Sequence, residues 1–445
     1  MLERSLNALR IDEATGRPRS FVHMAALALV WLTFASSGVV FSEPCPTDGL
    51  ALGLMVLLPV IGLVRVPKLL ALFLLVSASI AASGLVSATF AEDTSKAVTH
   101  TLVSLFLGGF TFTIAGFIAI RPVENIKLIF SAITVAAVIA ALAGIAGYFS
   151  LVPNAEIFTK FGRASGTFKD PNVFGPFLVP PILYAVHMAL QGSLRRALPP
   201  LMLAGLLALA VFLSFSRGAW INLVVSAGLY LGLSFLTAPS NGRRQKIALL
   251  AMLCAAALGG VVAGALQNDS VASLVKERAS VTQSYDVGPE GRFGGQQKAR
   301  ALILDNPLGI GAAQFSPFYH HEEAHNVYLT VTLATGWLGS GLYLIMVFST
   351  LALGLRQCFK RTPWQPLVLI AFATFAANAA EGIIIDTDHW RHFYVLMALI
   401  WGATSASAVR ASAGERQRIS VPRGVSPSLA GARIGRLQTH GPVAG

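Results

Sequence analysis

Twelve stretches of this chain are apolar over close to the ~20 residues that a helix needs to cross a bilayer. They fall at 21–41, 49–64, 69–90, 98–120, 126–149, 173–190, 198–215, 219–236, 247–266, 326–355, 365–385 and 393–409. No other feature restricts the fold so strongly. Backbone groups in lipid have no water to bond, so segments of this kind satisfy themselves as helices rather than open strands. Composition agrees: 54% of the residues are hydrophobic and 12% charged, where a soluble domain carries about a quarter charged. The expected fold class is all-α, a polytopic membrane bundle of about 12 transmembrane helices with one long, partly helical loop. Glycines such as Gly108-Gly109, Gly144, Gly147 and Gly259-Gly260 suit close helix approach.

The net charge of +12 does not point to nucleic acid, because the basic residues lie between apolar runs rather than along one face. With the N-terminus in the cytoplasm, 22 of the 33 Lys and Arg residues fall on the cytoplasmic side, and every short cytoplasmic loop is basic. The expected layout is a cytoplasmic tail over 1–20, a transmembrane bundle over 21–409 with a large periplasmic loop at 267–325, and a basic, disordered cytoplasmic tail over 410–445. The polar start lacks a signal-peptide pattern, so the first span reads as retained. Cys45, Cys254 and Cys358 are too scattered for a disulfide framework or a zinc site.

This layout sends four polar segments to the same outer face: RASGTFKDPNVFG at 163–175, SFSRG at 214–218, the loop 267–325, and DTDHWRH at 386–392. Any outer loop is polar, but these keep Arg and His where positive charge is normally avoided, which suggests an anionic ligand. Arg217 lies between two apolar runs with almost no loop. That placement fits a snorkelling helix-end Arg, and equally a guanidinium fork for phosphate oxygens. Arg292 opens a short helical segment and by itself reads as a solvated loop charge. The glycines of Asn306-Pro307-Leu308-Gly309-Ile310-Gly311 make a turn; with no preceding strand and no GKS or GKT ending they do not make a nucleotide loop.

His325-Asn326 begins the next apolar run. A His at a helix start is held neutral by the dipole and can take a proton from a sugar hydroxyl; a capping or hydrogen-bonded structural role is the plainer reading. His320, His321, Glu322 and His325 have poor spacing for a metal centre, so no metal is expected there. Asp386-Thr387-Asp388 matches a string that holds metal–nucleotide elsewhere, but nucleotide sugars are absent from the outer face. Glu381 and Asn378 sit within an apolar run, where a carboxylate is either functional or packed against a neighbouring polar side chain.

Taken in order, Arg163-x-x-Gly166-Thr167-Phe168, Pro171-Asn172, Ser216-Arg217-Gly218, Arg292 before a short helix, Asp305-Asn306-Pro307-Leu308-Gly309-x-Gly311, Ala324-His325-Asn326-x-Tyr328-Leu329 and Gly336-Trp337-Leu338-Gly339 resemble the O-antigen ligase/polymerase superfamily of bacterial membrane glycosyltransferases. The resemblance covers roughly residues 150–345. It implies a metal-independent, inverting transfer without cofactor, from a polyprenyl (undecaprenyl) diphosphate-linked glycan to a glycan or lipid A-core acceptor, at the periplasmic face of the inner membrane. By the same resemblance His325 is the catalytic base and Arg217, Arg292 and Arg163 bind diphosphate, with Asn172, Asn326 and Glu381 in support. Lipopolysaccharide ligation and exopolysaccharide polymerisation are both within its reach, and other polysaccharide assembly proteins are expected partners. A polysaccharide or lipid-linked oligosaccharide flippase is the main alternative, but it would carry charges deep within several spans and an internal repeat. A passive scaffold would have no reason to hold Arg217, Arg292 and His325 on one side.

Overall fold

A computed structural model describes residues 20–265, 267, 288 and 291–420. Most of the expected loop at 267–325 ahead of Gly291, nearly all of the N-terminal tail and the tail beyond Ser420 therefore lie outside the described residues. The chain divides into two units, Met1–Ala406 and Ser407–Gly445, and everything below concerns the first.

Each apolar run coincides with a helix. In order these are α1 (Phe21–Ala35), α2 (Pro46–Val60), α3 (Lys68–Ala88), α4 (Thr94–Ile118), α5 (Pro122–Tyr148), α6 (Pro171–Gln191), α7 (Leu194–Leu213), α8 (Arg217–Leu236) and α9 (Asn241–Ala265). After the long loop come α10 (Arg292–Asp305), the single turn α11 (Phe315–Phe318), α12 (Val327–Cys358), α13 (Gln365–Glu381) and α14 (Arg391–Ser420). Among the described residues eight helices are long and apolar enough to cross a membrane: α3 to α8, α12 and α14. The helix α1 stops at Ala35 rather than continuing to 41, and at 15 residues each α1 and α2 are shorter than a full crossing. The last helix continues past Val409 to Ser420. The fold is thus an all-α, membrane-type bundle, with fewer helices of full crossing length than the twelve apolar runs.

The extended structure among the described residues is small, one short hairpin and a parallel bridge between Val40 and Phe168. Thr159–Lys160 (β1) and Arg163–Ala164 (β2) pair antiparallel, joined by Phe161 and Gly162, both at positive φ. That is the backbone of a tight primed hairpin turn. Gly166, at φ +56, lies so close to the Ala140 carbonyl of α5 that a side chain would collide with it. Only glycine permits both the conformation and the approach.

Helix α6 is the most enclosed span, with 89% of its apolar window buried. It carries Pro176, Pro180 and Pro181 internally, which membrane helices tolerate where neighbours compensate the lost backbone bonds. It packs on α7 and α8, while α13 packs on α8 and α12, and α4 on α3. Aromatic contacts such as Phe375–Phe393 at 4.7 Å and Phe73–Trp401 at 5.0 Å knit α13 and α3 to α14. The long helix α12 is broken at Gly336, whose φ of 67° and ψ of −173° are not helical. The Asn306–Gly311 turn enters this break: Trp337 N–H donates to the Pro307 carbonyl at 2.9 Å and Ile310 N–H to the Leu333 carbonyl at 2.8 Å. The kink exists because another segment docks there, a cause distinct from loose helix propensity.

Candidate functional site

Hydrogen bonds join the polar segments 163–175 and 214–218 and tie the 386–392 segment to the first turn of α12. The Asp170 side chain caps α6 by accepting from Asn172 N–H at 2.7 Å, with Pro171 in the first helical turn where its missing donor costs nothing. Asn172 Oδ1 then accepts from Arg163 Nη2 at 2.8 Å, and Arg163 Nε donates to the Ser214 carbonyl at 2.7 Å. The hairpin is thereby strapped to the α6 N-terminus and to the α7–α8 turn.

That turn is tight. Phe215 takes a positive φ of 46°, and Ser216 caps α8 by accepting from Ala219 N–H at 3.3 Å. Arg217 is the first residue of α8 and half-buried. Beside it, Gly218 is pressed against the Glu381 carboxyl at the end of α13, where any Cβ would meet that group. Glu381 is 6% exposed and accepts from Asn222 Nδ2 at 2.6 Å; the same amide reaches Asn378 Oδ1 at 2.5 Å. This buried carboxyl thus packs against polar neighbours, and it locks α8 to α13 beside Gly218.

The C-terminus of α13 meets the N-terminus of α12 directly. Val327 N–H donates to the Gly382 carbonyl at 2.8 Å, and Tyr328 hydroxyl to the Ala379 carbonyl at 2.6 Å. Each helix end satisfies groups the other leaves open. Asn326 is the N-cap of α12, accepting from Tyr328 N–H at 3.1 Å and Leu329 N–H at 3.3 Å. His325 stands immediately before that cap at φ 47°, a conformation a non-glycine residue adopts only under local constraint. Its Nε2 lies 3.8 Å from a Glu322 carboxylate oxygen, and the side chain is 33% exposed. One continuous path of contacts therefore joins Arg163, Asn172, the Ser214–Arg217 turn, Glu381, Asn326 and His325.

Arg292 is the first residue of α10. This helix leans on α12 through a small apolar cluster of Ala299, Ile310, Phe315, Ala324 and Leu333. Ala324 is the residue before His325, so α10 and the His325 segment share a base. His320 packs its ring against Gly295, 3.1 Å from where a side chain would begin, and stacks on Phe315 at 5.8 Å. Its Nδ1 accepts from Glu322 N–H at 3.2 Å. His320 is thus built into the packing of the loop.

The segment at 386–392 contains residues that sequence reasoning set aside. Asp386 Oδ1 accepts from the Thr330 hydroxyl of α12 at 2.6 Å. Burial pushes the Asp386 carboxyl up to about 7, aided by repulsion from Asp388 and Glu323, while Thr330 and the Asn326 backbone N–H act in the opposite direction. Asp386 thereby reaches the same helix mouth that presents His325. Its signal in the sequence was the polar DTDHWRH segment, masked by the chance likeness to a metal–nucleotide string.

Among the described residues, one group has metal-ligand character: His100, Asp388 and His389 place one ligand atom each within 4.8 Å of one another. His100 Nε2 is 3.4 Å from Asp388 Oδ2, the two rings stack with centroids 3.9 Å apart, and His389 Nε2 bonds Ser104 at 2.9 Å. Burial pushes His389 down to about 4, so its imidazole is neutral. Near-parallel stacked rings aim their lone pairs along separate lines. The two rings are thus stacked on each other while each is tied to a separate polar partner, Asp388 for His100 and Ser104 for His389.

The fold defines a polytopic, all-helical membrane-type protein. Residues 202–344 match the family described as O-Antigen ligase, which supports the resemblance to the O-antigen ligase/polymerase superfamily carried by the motifs. The match contains Arg217, Arg292, His325 and Asn326, whereas Arg163, Asn172 and Glu381 lie outside it. No curated protein matches the chain.

Proposed function

We propose that this protein is a metal-independent, inverting membrane glycosyltransferase of the ligase/polymerase type. It moves a glycan from a polyprenyl-diphosphate carrier to a sugar hydroxyl on the periplasmic face of the inner membrane. The observation that carries the reading is the path of contacts from Arg163 and Asn172 through the Arg217 turn and Glu381 to Asn326 and His325. That path links four separate chain segments within a bundle otherwise made of apolar helices.

In this mechanism the acceptor hydroxyl oxygen attacks the anomeric carbon of the donor. His325 takes the hydroxyl proton on a ring nitrogen as the new C–O bond forms. The old anomeric C–O bond breaks and its electron pair leaves on the polyprenyl diphosphate. Arg217 and Arg292 stabilise the negative charge growing there, and a planar guanidinium offers two parallel donors to phosphate oxygens. Arg163 acts by holding the Arg217 turn in place. The proton on His325 then passes to solvent with the released diphosphate. The sugar–diphosphate bond supplies the driving force, so no nucleotide and no cofactor enter the cycle.

Both a ligase with a lipid A-core acceptor and a polymerase of surface polysaccharide or exopolysaccharide use this chemistry. Deleting the gene and analysing surface glycans tests the proposal and separates the two. Lipid A-core without polymer identifies a ligase, and single repeats held on the carrier identify a polymerase. Unchanged surface glycans would refute both.

A further inference from the structure

A cavity of about 230 Å³ opens between α1, α2, α4, the α6 N-terminus and the α13–α14 segment. Its depth is lined by Phe34, Phe106, Leu107, Phe110, Phe168 and Phe177. Its rim is polar and strongly unbalanced. The carboxyl groups of Glu43, Asp48, Asp170, Asp386 and Asp388 face it, against the cations of Lys169 and Arg391. Both cations are already engaged. Arg391 makes a two-pronged contact with Asp48, Nε to Oδ1 and Nη2 to Oδ2, each 2.7 Å, and its Nη1 lies 3.5 Å from Glu43. Lys169 Nζ is 2.9 Å from Glu43.

Such a rim repels a phosphate or diphosphate. A carboxylate pair of oxygens accepts up to about four hydrogen bonds, and the contacts above leave much of that capacity for a hydroxylated ligand. At ~30 Å³ per water in the liquid, the cavity holds roughly eight waters, the room that one sugar ring takes up, and far less than a polyprenyl tail needs. Aromatic walls below a ring of hydrogen-bond acceptors are what a pyranose asks for, with its C–H faces on the rings and its hydroxyls on the carboxylates. Asp386 lies in the rim and accepts from Thr330 in the first turn of α12, which ties the cavity to the helix that His325 precedes.

We propose that this cavity is the acceptor subsite, taking the terminal, uncharged sugar ring of the acceptor and presenting one of its hydroxyls toward His325. The inference rests on the transfer reaction proposed above, and binding is measured separately from transfer so that the two stand or fall apart. Ala51 is 2% exposed and lines the cavity, as does Ser37; Ala51→Phe and Ser37→Phe fill it without touching Arg217, Arg292 or His325. Ala51→Leu is the gentler filling variant if Ala51→Phe does not fold. The full-length protein in nanodiscs is titrated with lipid-free oligosaccharides released by mild acid from the surface polysaccharide of the source cells, reading tryptophan fluorescence and its Trp390→Phe difference, since Trp390 lines the cavity.

The expected result is saturable quenching in the wild type and at least tenfold weaker binding in a folded filling variant. Transfer assays should show at least a tenfold rise in acceptor KM with donor KM within twofold of wild type. Saturable quenching in a wild type that transfers nothing would sink the transfer reaction and keep the sugar subsite. Absence of sugar binding, binding indifferent to filling, quenching by divalent cations alone, or equal changes in both KM values would overturn the subsite.

Discussion

Arg163→Lys tests whether the strap across the site works as the geometry requires. The guanidinium makes two bonds in different directions, Nε to the Ser214 carbonyl at 2.7 Å and Nη2 to Asn172 Oδ1 at 2.8 Å. A lysine ammonium is a single point on a flexible stem and cannot reproduce that fork. One charge-assisted bond is lost, worth about 1.5–3 kcal/mol. Ser214 lies two residues before the Ser216 cap of α8, so the loss falls on the turn that aims Arg217. If about 2 kcal/mol of positioning reaches the transition state, transfer slows roughly thirtyfold, at 1.36 kcal/mol per tenfold. Asn172→Ala removes one arm of the same strap, so the double variant should cost less than the sum of the two singles. The assay is transfer from a polyprenyl-diphosphate donor in proteoliposomes, with thermal melts of each variant. Activity within twofold of wild type for Arg163→Lys, or strict additivity with Asn172→Ala, would refute the strap. A donor KM raised only by Arg163→Lys would show that Arg163 grips the diphosphate itself.

Three further outcomes follow from the same geometry. Arg217→Lys should lose nearly as much transfer as Arg217→Ala, and wild-type turnover with Lys would reduce Arg217 to a snorkelling helix-end charge. Asp386, raised from 3.8 to about 7, stays protonated in the folded protein while the unfolded chain ionises. Stability should therefore fall as pH rises from about 4 to about 7, by up to about 4 kcal/mol; Asp386→Asn should flatten melting temperatures across this range, and an unchanged slope would contradict the assignment. Transfer should survive EDTA, whereas loss restored by a divalent ion would assign the His100–Asp388–His389 group a catalytic metal.

The bundle was legible because lipid imposes one solution on long apolar runs, and all twelve runs became helices. Their lengths were less legible. The helix α1 ends at Ala35 because Ser36, Ser37 and Gly38 turn the chain, though hydropathy continues to 41. The break at Gly336 was hidden in a continuous apolar run, since its cause is the distant Pro307 turn rather than any local signal. Arg217, Arg292 and His325 stood out in the sequence as basic and His residues in segments expected to be outer loops. Arg163's partners did not, because a guanidinium bridging Ser214 and Asn172 depends on segments 51 and nine residues away. Glu381 was visible as an intramembrane carboxylate, yet only its contact with Gly218 ties it to the Arg217 turn. The cavity was invisible, because its aromatic walls and acidic rim come from five stretches that are unremarkable one by one.

Reconstitution of the His325→Ala protein tests the central claim most directly. Wild-type and variant protein are inserted in liposomes, supplied with polyprenyl-diphosphate-linked glycan and acceptor, and followed for glycan transfer at equal protein and comparable melting temperature. The account predicts a loss of at least a hundredfold in turnover, within the usual contribution of a positioned general base, with donor binding retained. Wild-type turnover by folded His325→Ala protein would contradict it.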